Sequence, residues 1–167
     1  VQPIPPNPPI VKKSFGESLQ AYLDRRSIIM LFLGFVAGIP ILLIFSSLSL
    51  WLREAGIDRS VVTMFSWAAL GYAFKFIWAP LIDAVPLPIF TKLLGRRRSW
   101  ILVSQIMIIA AICIMASVNP ANEGSLVLMA VGAVLLGFSS ATQDIVIDAY
   151  RIELAPPSLQ AVLSAMY

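Results

Sequence analysis

Four long apolar runs, at residues 27–51, 60–82, 99–118 and 125–148, dominate this sequence. Each is long enough to cross a bilayer, because a transmembrane helix needs about 20 predominantly apolar residues. Lipid offers no water to satisfy the backbone polar groups, so every spanning run must be helical. Hydrophobic residues make up 59% of the chain and charged residues 13%, as is typical of an integral membrane protein and not of a globular one. The sequence therefore predicts an all-α membrane protein with four complete transmembrane helices.

The segments before and after these runs are predicted from their composition. Residues 1–13 contain five prolines and are predicted to form an extended tail. Residues 14–26 are predicted to form an amphipathic segment. Ser14 and Glu17 have the spacing of a capping box, and four apolar residues then share one helical face, namely Phe15, Leu19, Tyr22 and Leu23. This segment either lies on the membrane surface or is the early start of the first transmembrane helix. A fifth apolar run begins at residue 158 and is too short to span, so we expect residues 27–167 to be part of a longer transmembrane half.

The positions of the basic residues predict the orientation of the helices in the membrane. Nine of them lie in the N-terminal segment, the second connection or the segment after the fourth run, whereas two lie in the first connection. Cytoplasmic connections are the ones that carry an excess of lysine and arginine. The N-terminus and the cluster Arg96, Arg97 and Arg98 are therefore predicted to be cytoplasmic. A contact with a lipid phosphate or a nucleotide would also explain this cluster, but the topology signal is the simpler interpretation.

Three charged residues, Lys75, Asp144 and Asp148, lie inside or at the edge of the apolar runs. A charge in a transmembrane helix is costly, so it usually faces protein or a cavity and indicates an ion or substrate path. Helical periodicity places Asp144 and Asp148 on one face, and both Asp144 and Lys75 in the cytoplasmic half of their helices. The two opposite charges therefore indicate a polar site between the helices, where an ion pair between Lys75 and Asp144 is geometrically possible. The pair either only fixes the helix packing or takes part in proton-coupled transport.

Glycines predict where the membrane helices approach one another. Gly71 shares the face of Lys75, and Gly137 shares the face of Asp144. Gly34 and Gly38 in the first run are separated by three residues, a spacing that is a weak packing signal by itself. Small residues let the backbones of membrane helices come into close contact. All four glycines are therefore predicted to be helix-packing positions.

The residue types available argue against several classes of function. The chain has no histidine and one cysteine, Cys113, so a metal site of histidine and cysteine ligands is not expected. No pairing of a nucleophile with a base is apparent, so neither an enzyme nor a cofactor is expected. No nucleic-acid partner is predicted either. The lipid bilayer is the one partner that composition alone predicts.

Four motifs in order resemble the AmpG-type muropeptide permeases of the major facilitator superfamily. They are Gly34-Phe-Val-Ala-Gly-Ile-Pro40, Tyr72-Ala-Phe-Lys-Phe-Ile-Trp-Ala-Pro-Leu-Ile-Asp83, Gly95-Arg-Arg-Arg-Ser-Trp100 and Ser140-Ala-Thr-Gln-Asp-Ile-Val-Ile-Asp-Ala149. The related acetyl-coenzyme A transporters have a similar Thr-Gln-Asp segment. The resemblance covers residues 27–155. It implies the N-terminal portion of a superfamily fold, with four transmembrane helices and the start of a fifth, and a missing C-terminal half of the same protein as its partner.

The resemblance also implies a function and a set of site residues. Asp83 and the arginines at 96–98 would form a cytoplasmic gate, although Ala79 replaces a usual glycine and residues 84–94 form an insert. Transport and proton coupling would involve Lys75, Gln143, Asp144 and Asp148. The implied activity is proton-coupled uptake of muropeptides, which are sugar–peptide solutes, across the bacterial inner membrane. The alternatives are transport of acetyl-coenzyme A or another anionic solute, and a non-transporting scaffold or sensor with the same fold.

Overall fold

The computed structural model describes residues 15–122 and 124–167, which form helices joined by short connections. No β-strand occurs within these ranges. We number the helices in chain order: α1 (Phe15–Tyr22), α2 (Arg25–Glu54), α3 (Arg59–Ile77), α4 (Ala79–Ala84), α5 (Phe90–Leu94), α6 (Arg96–Ala116), α7 (Ser125–Leu154) and α8 (Pro157–Met166).

Four of these helices, α2, α3, α6 and α7, are long and apolar enough to cross a membrane. They coincide with the four apolar runs, so the predicted all-α class and the four spanning helices are confirmed. The structure also contains α8, which falls on the fifth apolar run that begins at residue 158.

The N-terminal segment enters α2 through a turn. The proline-rich tail at residues 1–13 and Ser14 lie outside the described residues, so the predicted capping box is not described. Helix α1 ends at Tyr22, and the chain turns at residues 23 and 24. The Asp24 carboxylate accepts a hydrogen bond of 2.8 Å from the backbone N–H of Arg26, which caps the start of α2. Helix α1 is therefore separate from the first transmembrane helix, and its location on the membrane surface stays a prediction.

The helix ends differ from the ends of the apolar runs. Helix α6 begins at Arg96 instead of 99, and α7 continues to Leu154 instead of 148. A charged residue does not end a helix, whereas glycine and proline do. Gly95 precedes α6 with a φ of 81°, and the pair Pro156-Pro157 follows α7. These backbone signals, and not hydropathy, set the ends, so α7 carries Asp144 and Asp148 well inside the helix.

Prolines interrupt the two N-terminal spanning helices. In α2, Pro40 is followed by a π-helical stretch at Leu43–Leu48. The second helix, predicted to be continuous over 60–82, is divided at Trp78 between α3 and α4. Pro80 explains why the helix is interrupted, because a proline has no N–H to donate to the carbonyl of residue 76. The last turn of α3, Lys75–Ile77, is a tighter 3₁₀ turn that carries the predicted lysine.

Helix α7 lies at the centre of the packing. One buried cluster joins it to α2, α3 and α6 through residues such as Leu52, Phe65 and Met129. A second cluster joins it to α2 and α8 through Met30, Ile147 and Leu163. Every spanning helix therefore contacts α7. This position buries Ser139, Ser140, Thr142 and Gln143 of α7 between helices.

Candidate functional site

The predicted ion pair between Lys75 and Asp144 forms in the structure. The Lys75 ammonium donates a hydrogen bond to Oδ2 of Asp144 and so links the end of α3 to α7. The side chains are 34% and 23% exposed, so the pair is partly accessible and is not sealed in the interior. Asp144 lies about 28 Å along the axis from the start of α7, at a rise of 1.5 Å per residue. The sequence therefore identified both partners correctly.

Two tyrosines extend this ion pair into a larger polar cluster. The Tyr167 hydroxyl donates to Oδ1 of Asp144, so each carboxylate oxygen has its own donor. The Tyr72 hydroxyl donates to Oγ of Ser140, one helical turn before Asp144. We call Tyr72, Lys75, Ser140, Asp144 and Tyr167 the aspartate cluster. It draws on α3, α7 and the residue that follows α8.

A close backbone contact between α3 and α7 makes these bonds possible. A β-carbon on Gly71 would lie 3.2 Å from the carbonyl oxygen of Gly137, and one on Gly137 would overlap the carbonyl of Ala68. Glycine at both positions lets the helices approach until Tyr72 reaches Ser140 and Lys75 reaches Asp144. Gly71 and Gly137 thus occupy a helix contact, as their positions in the sequence suggested.

The other two predicted packing glycines have different surroundings. A β-carbon on Gly34 would lie 2.7 Å from the carbonyl oxygen of Tyr167 and 2.9 Å from its Cα. A β-carbon on Gly38 would meet nothing within 4 Å among the described residues. Gly34 is therefore at a close helix contact in this structure and Gly38 is not, although both belong to the same motif.

Asp148 lies one turn after Asp144 and has a separate partner. Its carboxylate is 3.4 Å from Nη2 of Arg151, and Nη1 of the same arginine donates to Oγ of Ser164 at 2.7 Å. The side chain of Asp148 is 42% exposed. Its partner is therefore Arg151, about one turn further along α7.

Gln143 lies next to Asp144 in sequence but not in the aspartate cluster. Its side chain is fully buried, and neither the amide oxygen nor the amide nitrogen has a hydrogen-bond partner within the described residues. Ser139, one turn earlier, is also buried with an unpaired hydroxyl in that part of the chain. Both residues therefore lie on a face of α7 that no solute can reach in this arrangement.

The predicted gate residues form a second polar cluster at the end of α7. Arg97 donates from Nη1 to the Asp83 carboxylate, and from Nε to Oε1 of Glu153 at 2.9 Å. Arg96 donates to the backbone carbonyl of Asp83 at 2.7 Å. The Arg97 side chain is 12% exposed, whereas both carboxylates are 50% exposed. We call Asp83, Arg96, Arg97 and Glu153 the arginine latch. Arg98 is exposed and lines the adjacent groove.

The family to which these features belong follows from comparison with known proteins. The family model described as acetyl-coenzyme A transporter 1 matches residues 27–165, which is most of the chain. The matched segment contains both the aspartate cluster up to Asp144 and the whole arginine latch. The chain belongs to this family. This match, together with the relatives named next, confirms the resemblance to AmpG-type permeases and the related acetyl-coenzyme A transporters.

Several members and relatives of the family are named as transporters. "Putative transporter AmpG 4" of Rickettsia felis is 38% identical over 86% of this chain and 34% of its own length. "Anhydromuropeptide permease" of Escherichia coli K12 is 39% identical over 84% and 28%. "Putative transporter AmpG 3" of Rickettsia prowazekii is 41% identical over 74% and 29%. The chain thus spans about a third of the length of these relatives. No solved structure gives a significant match.

The family membership and the spanning helices together indicate a multi-pass membrane protein with transporter relatives. Within residues 15–122 and 124–167, no group of three or more histidine, cysteine, aspartate or glutamate side chains could hold a metal ion. The aspartate cluster offers one carboxylate, one ammonium and three hydroxyls. Such groups exchange protons and hydrogen bonds.

Sequence reasoning did not assign four members of the two clusters, which are Tyr72, Ser140, Glu153 and Tyr167. Glu153 was overlooked because the fourth helix was expected to end before it. Tyr167 was overlooked because the fifth apolar run was treated only as a fragment. Glu153 had a weak signal, because it is an acidic residue that follows the fourth apolar run on the side predicted to hold the basic cluster. Tyr167 gave no comparable signal, because its contact depends on how α8 returns to α7.

Proposed function

We propose that this chain is the N-terminal portion of a major facilitator superfamily transporter that takes up anhydromuropeptides together with protons. The bilayer is the bacterial inner membrane, with the N-terminus in the cytoplasm. The ion pair of Lys75 with Asp144 carries this proposal, because a partly accessible charge pair between two spanning helices indicates an ion or substrate path. The remainder of the solute site would come from the missing C-terminal half, since the relatives are about three times as long.

The aspartate cluster suggests how a proton would be coupled to a solute. Protonation of Asp144 removes the negative charge that holds the Lys75 ammonium. Lys75 is then free to bind an anionic group of the solute, such as the carboxylate of a peptide. Loss of the proton restores the ion pair and displaces the solute. Proton binding and solute binding would thus be linked through one lysine.

The remaining predicted residues have secondary roles in this scheme. Asp148 and Arg151 lie on the cytoplasmic side of Asp144 and would form the exit for the proton. Gln143 would contact the solute only after a rotation of α7, because its amide is fully buried here. The arginine latch would hold the cytoplasmic ends of α4 and α7 together while the site is open to the outside.

The alternative substrate is acetyl-coenzyme A or another anionic solute. The description of the matching family favours it, and a free Lys75 would suit a phosphate as well as a carboxylate. The names of several relatives favour muropeptides instead. Competition of acetyl-coenzyme A with labelled anhydromuropeptide in the full-length protein separates the two substrates. Full competition at similar concentrations would favour the acetyl-coenzyme A assignment.

Transport by the Asp144→Asn variant of the full-length protein tests the coupling. We expect it to lose accumulation driven by a proton gradient but to retain exchange of labelled for unlabelled solute, because exchange needs no net proton movement. Asp58→Asn is the matched control, because Asp58 is an exposed acidic residue in the connection before α3. The Asp58→Asn protein should transport normally. Normal accumulation by Asp144→Asn would refute the coupling. Absence of both accumulation and exchange in the unmutated protein would favour a scaffold or sensor.

A further inference from the structure

We infer that Tyr167 is a positioning residue for Asp144 and that Gly34 determines where Tyr167 lies. The inference rests on the proposed function, because it concerns the same carboxylate. It adds a third helix to the site, since Tyr167 follows α8 while Lys75 lies at the end of α3. The two carboxylate oxygens of Asp144 thus connect α7 to α3 and to the residue that follows α8.

The two donors to Asp144 differ in how they respond to a proton. An ammonium group can only donate hydrogen bonds and pairs with the ionised carboxylate. A phenolic hydroxyl can donate or accept, so it can bond either an ionised or a protonated carboxyl group. When Asp144 takes up a proton, the bond to Lys75 is weakened while a bond to Tyr167 remains available. Tyr167 therefore keeps the carboxyl group in place while Lys75 is released.

The backbone around Tyr167 fixes its position. Its N–H donates to the carbonyl of Leu163 at 3.2 Å, which continues the last turn of α8. Leu163 is fully buried against Met30 of α2 and Ile147 of α7. The carbonyl and Cα of Tyr167 then lie directly over Gly34 of α2. No side chain fits between them, so the absence of a β-carbon at residue 34 allows the hydroxyl to reach Asp144.

The test uses the reaction of Asp144 with a hydrophobic carbodiimide, which modifies protonated carboxyl groups within membranes. The full-length protein is labelled in its membrane at a series of pH values, and labelling of the peptide that contains Asp144 is measured by mass spectrometry. Tyr167→Phe removes only the hydroxyl. We expect Asp144 to be labelled several-fold faster, because the carboxyl group loses the hydroxyl that holds it in both its ionised and its protonated form. An unchanged labelling profile would overturn the inference.

Two glycine variants provide a matched comparison that does not alter the tyrosine. Gly34→Ala should displace Tyr167 and reproduce the labelling change of Tyr167→Phe, because its β-carbon would lie 2.7 Å from the Tyr167 carbonyl. Gly38→Ala, one turn later in the same helix, should label like the unmutated protein because its β-carbon meets nothing. Equal labelling of the two glycine variants would contradict the role of Gly34. If Tyr167→Phe accumulates poorly in the membrane, the comparison of the two glycine variants still tests whether Tyr167 positions Asp144.

The labelling experiment separates this inference from the proposed function. If Asp144→Asn transports normally but Tyr167→Phe still changes the labelling, the positioning role stands and the coupling role fails. If Asp144→Asn loses accumulation while Tyr167→Phe leaves both labelling and the pH dependence of uptake unchanged, the coupling stands and the positioning role fails.

Discussion

Gly71 and Gly137 face each other across the contact between α3 and α7, with 3.2 Å between a β-carbon built on Gly71 and the carbonyl oxygen of Gly137. Within the next one to two turns of the two helices, Tyr72 bonds Ser140 and Lys75 bonds Asp144. The close approach brings the Tyr72 hydroxyl and the Lys75 ammonium within hydrogen-bonding distance of their acceptors on α7. The glycine contact is therefore the structural basis of the aspartate cluster.

Substitution of Gly137 tests this dependence. Gly137→Ala places a methyl group against the carbonyl of Ala68, so the helices must separate. We expect a loss of about 1–3 kcal/mol in stability, as is typical of overpacking, and a weaker pairing of Lys75 with Asp144. Thermal unfolding of the purified protein in detergent measures the first effect. Carbodiimide labelling of Asp144 measures the second.

Gly38→Ala is the control for that substitution, because its β-carbon meets no described atom within 4 Å. It adds the same methyl group to another spanning helix, so any general effect of the change appears in both variants. Equal melting temperatures for Gly137→Ala and Gly38→Ala would show that α3 and α7 are not in close contact.

The ion pair itself is tested by a double-mutant cycle. Lys75→Met and Asp144→Asn each leave the other charge without its partner, so each should lower the yield of folded protein. Removing one member of a fully buried pair typically costs about 3–5 kcal/mol, and the partial exposure of both side chains places the expected loss below that range. The double variant should recover part of the loss. Size-exclusion chromatography of the detergent-extracted protein measures the folded yield.

Strictly additive losses in that cycle would mean that Lys75 and Asp144 do not interact. Asp58→Asn again serves as the control for a loss of acidic charge alone. A double variant that recovers its folded yield but not gradient-driven accumulation would separate the structural contribution of the pair from its contribution to transport.

The contrast between Lys75 and Tyr167 shows what the sequence could predict. Lys75 and Asp144 were paired from the sequence because a single periodicity governs all regular helices and charges in lipid need partners. Lys75 and Asp144 do form a pair, even though α3 contains 3₁₀ turns. Tyr167 could not be found, because its contact depends on the path of the chain through Pro156 and Pro157. That path is a tertiary property with no periodic signal.

Gln143 and Gly38 show a second limit of the same reasoning. A residue within a recognised motif need not share the environment of its neighbours, because successive helical residues differ by about 100° in direction. The Gln143 side chain is buried between helices, whereas the Asp144 side chain lies in the aspartate cluster. Gly34 contacts Tyr167, whereas Gly38 contacts nothing described. The motifs located the site but did not assign each of its members.

The arginine latch is tested through its central residue. Arg97 donates to two carboxylates from different nitrogens, a geometry that the single ammonium of a lysine cannot reproduce. Arg97→Lys should therefore release the connection between α4 and α6 nearly as much as Arg97→Ala does. Hydrogen exchange of residues 85–95 measures the release, and we expect it to be several-fold faster in both variants.

Arg98→Lys is the control for the latch, because the neighbouring Arg98 side chain is exposed. It should leave exchange in residues 85–95 unchanged. If hydrogen exchange in Arg97→Lys matched that of the unmutated protein, a positive charge alone would be enough to hold the connection in place. The directed bonds to Asp83 and Glu153 would then not be needed.

The orientation of the helices is tested by labelling cysteines from each side of the membrane. The positive charges place the connection before α6 in the cytoplasm and the one before α7 outside. Lys92 and Asn122 are exposed positions in these two connections. Ser99 is fully buried, so a cysteine there would report its burial and not the side of the membrane on which it lies.

The experiment uses a Cys113→Ser background, because Cys113 is itself exposed. An impermeant maleimide added to intact cells should label Asn122→Cys and not Lys92→Cys. Both variants should be labelled after the cells are opened, which shows that each site is reactive. External labelling of Lys92→Cys alone would invert the proposed topology and place the arginine latch outside.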